Sequence, residues 1–447
     1  MRLLICLSHA LHCRNWIASG MLDKMTDAGL VGTVLMPAAL VVKYSPKIPF
    51  GWDHYALEPW MAGRWSTRAL EALRLGMLVA GARRGGLNYR MKMQAKRHPA
   101  AAAEMLAWRL LSRLTDPLPI VRGFARALPA RIPDWRFRGW SFPPSCTHLI
   151  LPTMVHEDAM QAGIIRAARI AKMPILAIPA SWDTLVTKGA FLDQPDRIAV
   201  WGSASSRHAI EQHGFAPGQV IVTGPPHFWP YAPAARIPKL VMPNGRRYVL
   251  FAGTTVNYAA DELYIITALG DQLASHPATK DIAILYRPHP RRTFTIGQWD
   301  MLKGHHIAMD PKWGGSYPPR GGWSGDPADI PWIRTITEGA LCTISAFSTV
   351  VLESALVGTP SILIGFGDSA HGTGQALDHV QYEHMAEMIG KPGIILSNTL
   401  DDLFTMIYRC SLAPLARPQD MRRWATEIAA VDADPRDRLI EWMKENA

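Results

Sequence analysis

Tyr286-Arg287-Pro288-His289-Pro290-Arg291-Arg292 sets one imidazole between two prolines and among three guanidinium groups. The prolines fix the backbone on either side of His289 and hold it in place. Imidazole and guanidinium groups donate hydrogen bonds to phosphate oxygens, so the spacing predicts an anion site. The competing reading is a satisfied loop histidine beside a solvated arginine cluster. A second group is Ser345-Ala346-Phe347-Ser348-Thr349-Val350-Val351-Leu352-Glu353, where an apolar run turns into a helix pattern. Hydroxyls and free N–H groups at a helix start form a second anion site, with Glu353 one turn inside and able to accept from ribose hydroxyls. Simple N-capping by Ser345 or Ser348, with Glu353 completing a capping box, explains the same residues. A third is Phe251-Ala252-Gly253-Thr254-Thr255, whose small residues would let backbone approach a phosphate. No GxxxxGK[ST] motif occurs.

The first half carries its own candidates. His9, His12, Arg14 and Asn15 follow an apolar opening run, and Ser181-Trp182-Asp183-Thr184 with Thr187-Lys188-Gly189 follows another. Imidazole and carboxylate groups can serve as general bases. His9, His12 and Asp183 are the candidates, with Arg14, Asn15, Trp182 and Lys188 beside them as substrate-lining residues. An Asx-type turn accounts equally well for Asp183, and dipole-stabilising caps for Glu157 and Asp158. Asp432-Ala433-Asp434 has the spacing of a divalent-metal motif, but Pro435 follows it. Asp434 therefore reads as an N-cap with proline at the first helical position, and no metal or cofactor is expected.

Elements must position these groups. Short apolar runs at Leu3–Leu7, Val31–Met36, His148–Leu151, Ile175–Ile178, Ile198–Trp201 and Val220–Val222 alternate with helix patterns at Arg14–Ala28, Ala162–Ala171 and Ser205–His213. The alternation resumes with Val249–Phe251, Glu262–Ala274, Ile282–Tyr286, Cys342–Ile344, Thr349–Val357 and Ile362–Ile364. This is the pattern of parallel βαβ units. The length of 447 residues argues for two domains, and the prolines at 230, 233, 238 and 243 mark a linker. The expected architecture is α/β, with two Rossmann-like doubly wound domains facing a cleft. The first spans about 1–235. The second spans 246–447, and its last helix, Arg436–Glu445, is free to pack back on the first. The Gly-, Pro- and Trp-rich stretch Trp313–Asp329 reads as a long loop.

Between Arg64 and Arg138 sixteen Lys and Arg stand against four acids, so this segment exceeds the whole chain's net charge of +10. Its periodicity predicts amphipathic helices inserted in the first domain over about 60–140. Nucleic acid and anionic lipid both attract such charge. No nucleic-acid motif accompanies it, which points to an anionic membrane surface and no nucleic acid. The five cysteines are scattered, with no CxxC pair. That favours a reducing compartment and no zinc site. No run reaches the ~18 apolar residues that span a bilayer, so the expected place is cytoplasmic, peripheral on the inner membrane.

Together these residues resemble the bacterial surface-carbohydrate transferases of the GT-B fold. Arg287-Pro288-His289-Pro290 is similar to the HP motif of transferases using cytidine-linked donors: sialyltransferase-like, Kdo-transferase-like and CDP-glycerol-type enzymes. Ser348-Thr349 resembles their paired hydroxyl motif. Glu353 with Gly358-Thr359-Pro360 looks like the helix–strand unit after it, and Gly372-Thr373 like a loop near the donor. In the first half, Arg14-Asn15 with Ala28-Gly29, and Ser181 to Gly189 with Pro195-Asp196-Arg197, Val200-Trp201-Gly202 and Thr223-Gly224, look like the family's acceptor-side units. The resemblance implies that His289 contacts the nucleotide's phosphates and that Ser348 and Thr349 bind phosphate or ribose. With the residues read above, the expected donor contacts are Gly253, Thr254, Thr255, Arg287, His289, Ser345, Ser348, Thr349, Glu353, Gly372 and Thr373. The resemblance also implies a metal-independent glycosyltransferase of cell-surface polysaccharide biosynthesis, acting on a nucleotide-activated sugar and a glycan or lipid-linked acceptor. The other readings are a sugar-nucleotide 2-epimerase, a CDP-glycerol-type phosphotransferase and a non-catalytic nucleotide-sugar binding protein.

Overall fold

The structure, a computed structural model, describes residues 1–57, 142–143, 145–155, 159–188, 191, 194–242, 245–254, 262–290, 292–312, 326–346, 348–366 and 383–446. The basic segment expected at 60–140, most of the loop expected at 313–329, and Glu157 and Asp158 lie outside them. The chain divides into two compact units, Met1–His227 with Ala433–Ala447, and Phe228–Asp432. The division falls at 227/228, ahead of the boundary expected at 235, and the closing helix belongs to the first unit.

In the first unit seven strands run in order: β1 (Arg2–Cys6), β2 (Val31–Met36), β3 (Asp53–Ala56), β4 (His148–Thr153), β5 (Ile175–Pro179), β6 (Arg197–Val200) and β7 (Val220–Val222). They form one parallel sheet of order β3-β2-β1-β4-β5-β6-β7. Successive side chains of a strand point to opposite faces. Leu3 and Ile5 enter one core with Trp16, Met21 and Leu439, while Leu4 and Cys6 enter another with Ile164 and Ile165. A strand apolar on both faces needs a cover on both, which is the doubly wound arrangement.

The second unit adds β8 (Arg247–Ala252), β9 (Ile282–Arg287), β10 (Ile307–Met309), β11 (Thr343–Ser345), β12 (Ser361–Ile364) and β13 (Ile394–Ser397). This sheet is also parallel, in order β10-β9-β8-β11-β12-β13. Again alternate residues part: Val249 and Phe251 pack with the helix Leu263–Ser275, and Tyr248 and Leu250 with Ile336. In both units the first strand is central and the order reverses beside it, as in the Rossmann topology.

Sequence and structure differ in the first connection. A single helix expected at Arg14–Ala28 is instead a short helix Ala10–Cys13, a π-helical turn Arg14–Ala18 and a helix Met21–Asp27. His9 caps the first, Ser19 Oγ bonds back to the Asn15 carbonyl at 2.6 Å, and Gly20 at φ 71° breaks the run. The strands β3 and β10 were not expected: β3, Asp-His-Tyr-Ala, is exposed throughout, and β10 is an apolar edge strand of only three residues. Among the described residues no helix is long and apolar enough to cross a membrane.

The closing helix Pro435–Glu445 starts on Asp434, whose side chain accepts from the Arg436 N–H at 2.9 Å. Lys24 Nζ lies 2.9 Å from Asp434 and 2.7 Å from Asp437, which ties this helix to Met21–Asp27. Burial would raise the Asp434 carboxyl, but hydrogen bonds from Arg436 and Lys24 outweigh it and hold the carboxyl below its ordinary range. A folded-state pKa below the unfolded one stabilises above the unfolded value and is lost as pH falls through the folded value. Asp434→Ala is therefore expected to cost about 1–2 kcal/mol at neutral pH, with the difference from wild type shrinking below pH ~4. Urea denaturation at pH 7 and pH 3 measures both, and an equal loss at the two values would contradict the assignment.

Candidate functional site

Parallel pairing fixes where the second unit's loops leave the sheet. Ala252, the last residue of β8, pairs with Arg287 of β9 on one side and Ser345 of β11 on the other. Three adjacent strands therefore end in one row. Gly253-Thr254, Pro288-His289 and Ala346 to Thr349 all pass the same carboxyl edge, next to the reversal of strand order. Ligands bind at that position in open α/β sheets.

The loop after β8 is pulled inward. The Gly253 N–H donates to the Arg287 carbonyl at 2.8 Å, and the Thr254 N–H donates to Glu262 Oε2 at 2.9 Å. Both amides expected to meet phosphate are thus already used. The glycine has a different cause: a Cβ at 253 would lie 2.6 Å from Glu262 Oε1 and 3.1 Å from Pro288 Cα. Glu262, at 2% exposure, also accepts from the Tyr286 hydroxyl and stands 3.0 Å from Arg292 Nε. Burial raises its carboxyl above the ordinary range; Arg292, Tyr286 and Thr254 work against that rise. Thr255 and Arg291 lie outside the described residues.

Of the arginines expected around His289, Arg287 and Arg292 are also committed. The two terminal nitrogens of Arg287 meet Asp310 and, at 2.8 Å, Asp329. Burial opposes its charge, yet Asp329 and Asp310 raise its pKa above the ordinary value. Asp310 is fully buried and also accepts from the Lys312 N–H at 2.9 Å and the Trp332 indole at 2.8 Å. Arg292 spans from Glu262 to the Thr254 carbonyl, 3.2 Å from its Nε. Neither Arg287 nor Arg292 is placed as an open phosphate clamp. His289 is half-buried, and its carbonyl accepts from the Arg292 N–H at 2.8 Å, closing the turn.

On the other side of β8, the Ser345 and Ser348 hydroxyls lie 2.9 Å apart. Thr349 is the N-cap of the helix Val350–Val357 without a side-chain cap bond. The amides of Val351, Leu352 and Glu353 are taken by the Ser348 and Thr349 carbonyls, at 3.1, 3.0 and 3.1 Å. Glu353 is buried in the first turn of that helix. Gly372 and Thr373 lie outside the described residues.

The first unit's candidates gather on its own carboxyl edge, where Asn15 Nδ2 donates to the Ala180 carbonyl at 3.1 Å and links the segments after β1 and β5. Arg14 lies beside it, its guanidinium 3.4 Å from Asn15 Oδ1. Trp182 is buried and Lys188 half-buried next to Asp183. Asp183 takes hydroxyl hydrogen bonds from Ser181 and, at 2.8 Å, from Thr187. His9 Nδ1 accepts from the Leu11 N–H at 3.2 Å, so the neutral ring carries its proton on Nε2.

His12 is fully buried in a cavity lined by Asn15, Trp16, Ala180, Trp201 and His227. Its Nδ1 stands 3.4 Å from Ser8 Oγ and its Nε2 has no hydrogen-bond partner among the described residues. Desolvation first, and His9 second, push its pKa down to about 3. Burial, with Arg14 second, also drives His227 well below the ordinary histidine value. Among the described residues no cluster of three or more His, Cys, Asp or Glu side chains has the grouping of a metal site.

No protein-family model and no curated protein sequence matches the chain. Solved structures resemble it over nearly its whole length. The glycotransferase of kitacinnamycin superposes with a TM-score of 0.53 at 10% identity, covering 99% of this chain and 98% of that one. The UDP-GlcNAc 2-epimerase from Neisseria meningitidis bound to UDP-GlcNAc gives 0.53 at 9%, covering 99% and 100%. The UDP-GlcNAc 2-epimerase from Methanocaldococcus jannaschii gives 0.51 at 10%, covering all of both chains. The two Rossmann-like units thus make a GT-B-like fold, the class shared by these transferases and epimerases.

Glu262, Asp310, Asp329 and Trp332 did not stand out in the sequence. The one signal was an acid opening an apolar helix at Glu262-Leu263-Tyr264-Ile265-Ile266. His12 provides the test of this site's electrostatics. Its folded pKa lies below the unfolded value near 6.5, so it stabilises the protein above that value and the stability is lost as pH falls from there toward 3. NMR of the imidazole is expected to show a neutral ring from pH 8 to pH 5; a midpoint near 6.5 would refute the burial assigned to it.

Proposed function

We infer that the chain is a metal-independent, nucleotide-sugar-dependent glycosyltransferase whose second unit holds the donor. The observation that carries this is the single row formed by Ala252, Arg287 and Ser345. It brings His289 and the Ser345–Ser348–Thr349 group past one sheet edge, at the point where α/β sheets take ligands. His289 donates to the donor's phosphates. The Ser348 and Thr349 hydroxyls take the remaining oxygens, and Glu353 accepts from the ribose. These donors stabilise the leaving phosphate as its charge grows. The HP and paired-hydroxyl motifs support a cytidine-linked donor. The basic segment 64–138 supports an acceptor on an anionic membrane, as in surface-polysaccharide synthesis.

Of the three candidate bases, Asp183 is the one suited to the task. His12 is fully buried. Neutral His9 already bears its proton on Nε2, because Nδ1 is taken by Leu11. Asp183 is half-buried on the edge, its carboxylate held by the Ser181 and Thr187 hydroxyls. It therefore takes the acceptor proton, with Arg14, Asn15, Trp182 and Lys188 around the acceptor. The GT-B-like fold is shared equally with the 2-epimerases, so isomerisation of a free nucleotide-sugar is the second reading.

A thermal-shift series with CMP, CDP, UDP and GDP tests the donor site. At saturation a hundredfold above Kd the ligand adds about 2.7 kcal/mol. One nucleotide is expected to raise Tm clearly, and His289→Ala to remove most of that rise. An unchanged rise in the variant would take His289 out of the site. Asp183→Asn is expected to lower transfer about 10²–10⁴-fold while leaving nucleotide affinity intact. Full turnover in that variant would exclude Asp183 as the base, and conversion of free UDP-sugar without acceptor would favour the epimerase.

A further inference from the structure

The bridge that carries His289 is pinned at both ends by buried charge. At its start, Arg287 closes β9 and is held by Asp310 and Asp329. At its end, Arg292 is held by Glu262, with the two side chains 4% and 2% exposed. Between them the Arg292 N–H closes the turn on the His289 carbonyl. The second pin also reaches the neighbouring loop. Glu262 takes the Thr254 N–H and Arg292 approaches the Thr254 carbonyl, so one ion pair grips both backbone groups of the same residue. Tyr286 directs its hydroxyl to Glu262 from the strand beneath. Gly253 leaves room for the pair and lies against Pro288 and the His289 amide.

We propose that Glu262, Tyr286 and Arg292 are positioning residues that fix the direction of His289 toward a nucleotide's phosphates without touching the nucleotide. The proposal rests on the donor reading above. Three donors on one enclosed carboxylate leave it a single orientation, and a low-dielectric surround makes each bond strict. Arg292 is spent on Glu262 and Thr254. Its charge therefore reaches the ligand only through the backbone turn it shapes. The motif around His289 thus divides its labour: the imidazole binds, and the flanking arginines hold the frame.

A double-mutant cycle reads such action through a third group. Isothermal titration is run on the full-length protein with whichever of CMP, CDP, UDP and GDP gives the largest thermal shift. Glu262→Gln is expected to weaken that nucleotide about 10-fold when His289 is intact, and less than about 2-fold in a His289→Gln background. Tyr286→Phe, which preserves the ring's packing, should show the same dependence on His289 with a smaller loss, and it serves alone if Glu262→Gln does not fold. Ile336→Val, in the core on the sheet's other face, lowers Tm without changing affinity. A loss from Glu262→Gln and Tyr286→Phe that is the same in both backgrounds would assign these groups a merely structural or direct role. No loss in either background would overturn the proposal as well. If the unaltered protein binds none of the four nucleotides, the donor reading itself fails, which is a separate result.

Discussion

A parallel sheet has only one carboxyl edge. Every strand ends there, and every helix that follows starts there, so the free N–H ends of helices and the loops before them are crowded onto one side of each unit. Where the strand order reverses, the connections leave to opposite faces and open a crevice. In the second unit that crevice lies between β8 and β11, with β9 beside β8. The position of His289 relative to Ser348 follows from this register, although 58 residues separate them in the chain.

The edge is also where burial of charge is most costly. An unpaired carboxylate inside a unit would bind a proton and lose its charge. At Glu262 an amide, a phenol and a guanidinium work against that. Removing one partner from such an arrangement costs about 3–5 kcal/mol, because the other is left as an uncompensated charge. The same reasoning applies to Asp310, which meets Arg287, the Trp332 indole and a backbone amide. These groups explain why Arg287 and Arg292 do not stand open. A guanidinium between two carboxylates has little net charge to offer a phosphate.

Much of this was legible in the sequence because the signals are local. Strands buried on both faces are unbroken apolar runs, so Ile282–Tyr286 and Val249–Phe251 were found within a residue or two of β9 and β8. Gly214 and Gly358, at φ 73° and 81°, end their helices where expected. Asp434 before Pro435 read as a cap, and it is one. What stayed hidden depends on contacts across long stretches of chain. Nothing near Glu262 announces Arg292, thirty residues on, and nothing near Arg287 announces Asp310 or Asp329. Gly253 was legible as a small residue at a strand end, but its reason is a neighbouring carboxylate rather than a ligand. A spacing can show that backbone must come close; it cannot show what it comes close to.

The first unit shows how burial changes what a residue can do on the same edge. His12 and Asp183 sit on segments linked through Asn15 and the Ala180 carbonyl. The histidine is sealed among Trp16, Trp201 and prolines, where no charge compensates a proton, so its neutral form prevails. Asp183, half-buried, is held by the hydroxyls of Ser181 and Thr187. A neutral imidazole with a depressed pKa is a hydrogen-bonding group rather than an acceptor of protons, so environment rather than residue type sets what His12 offers at this edge.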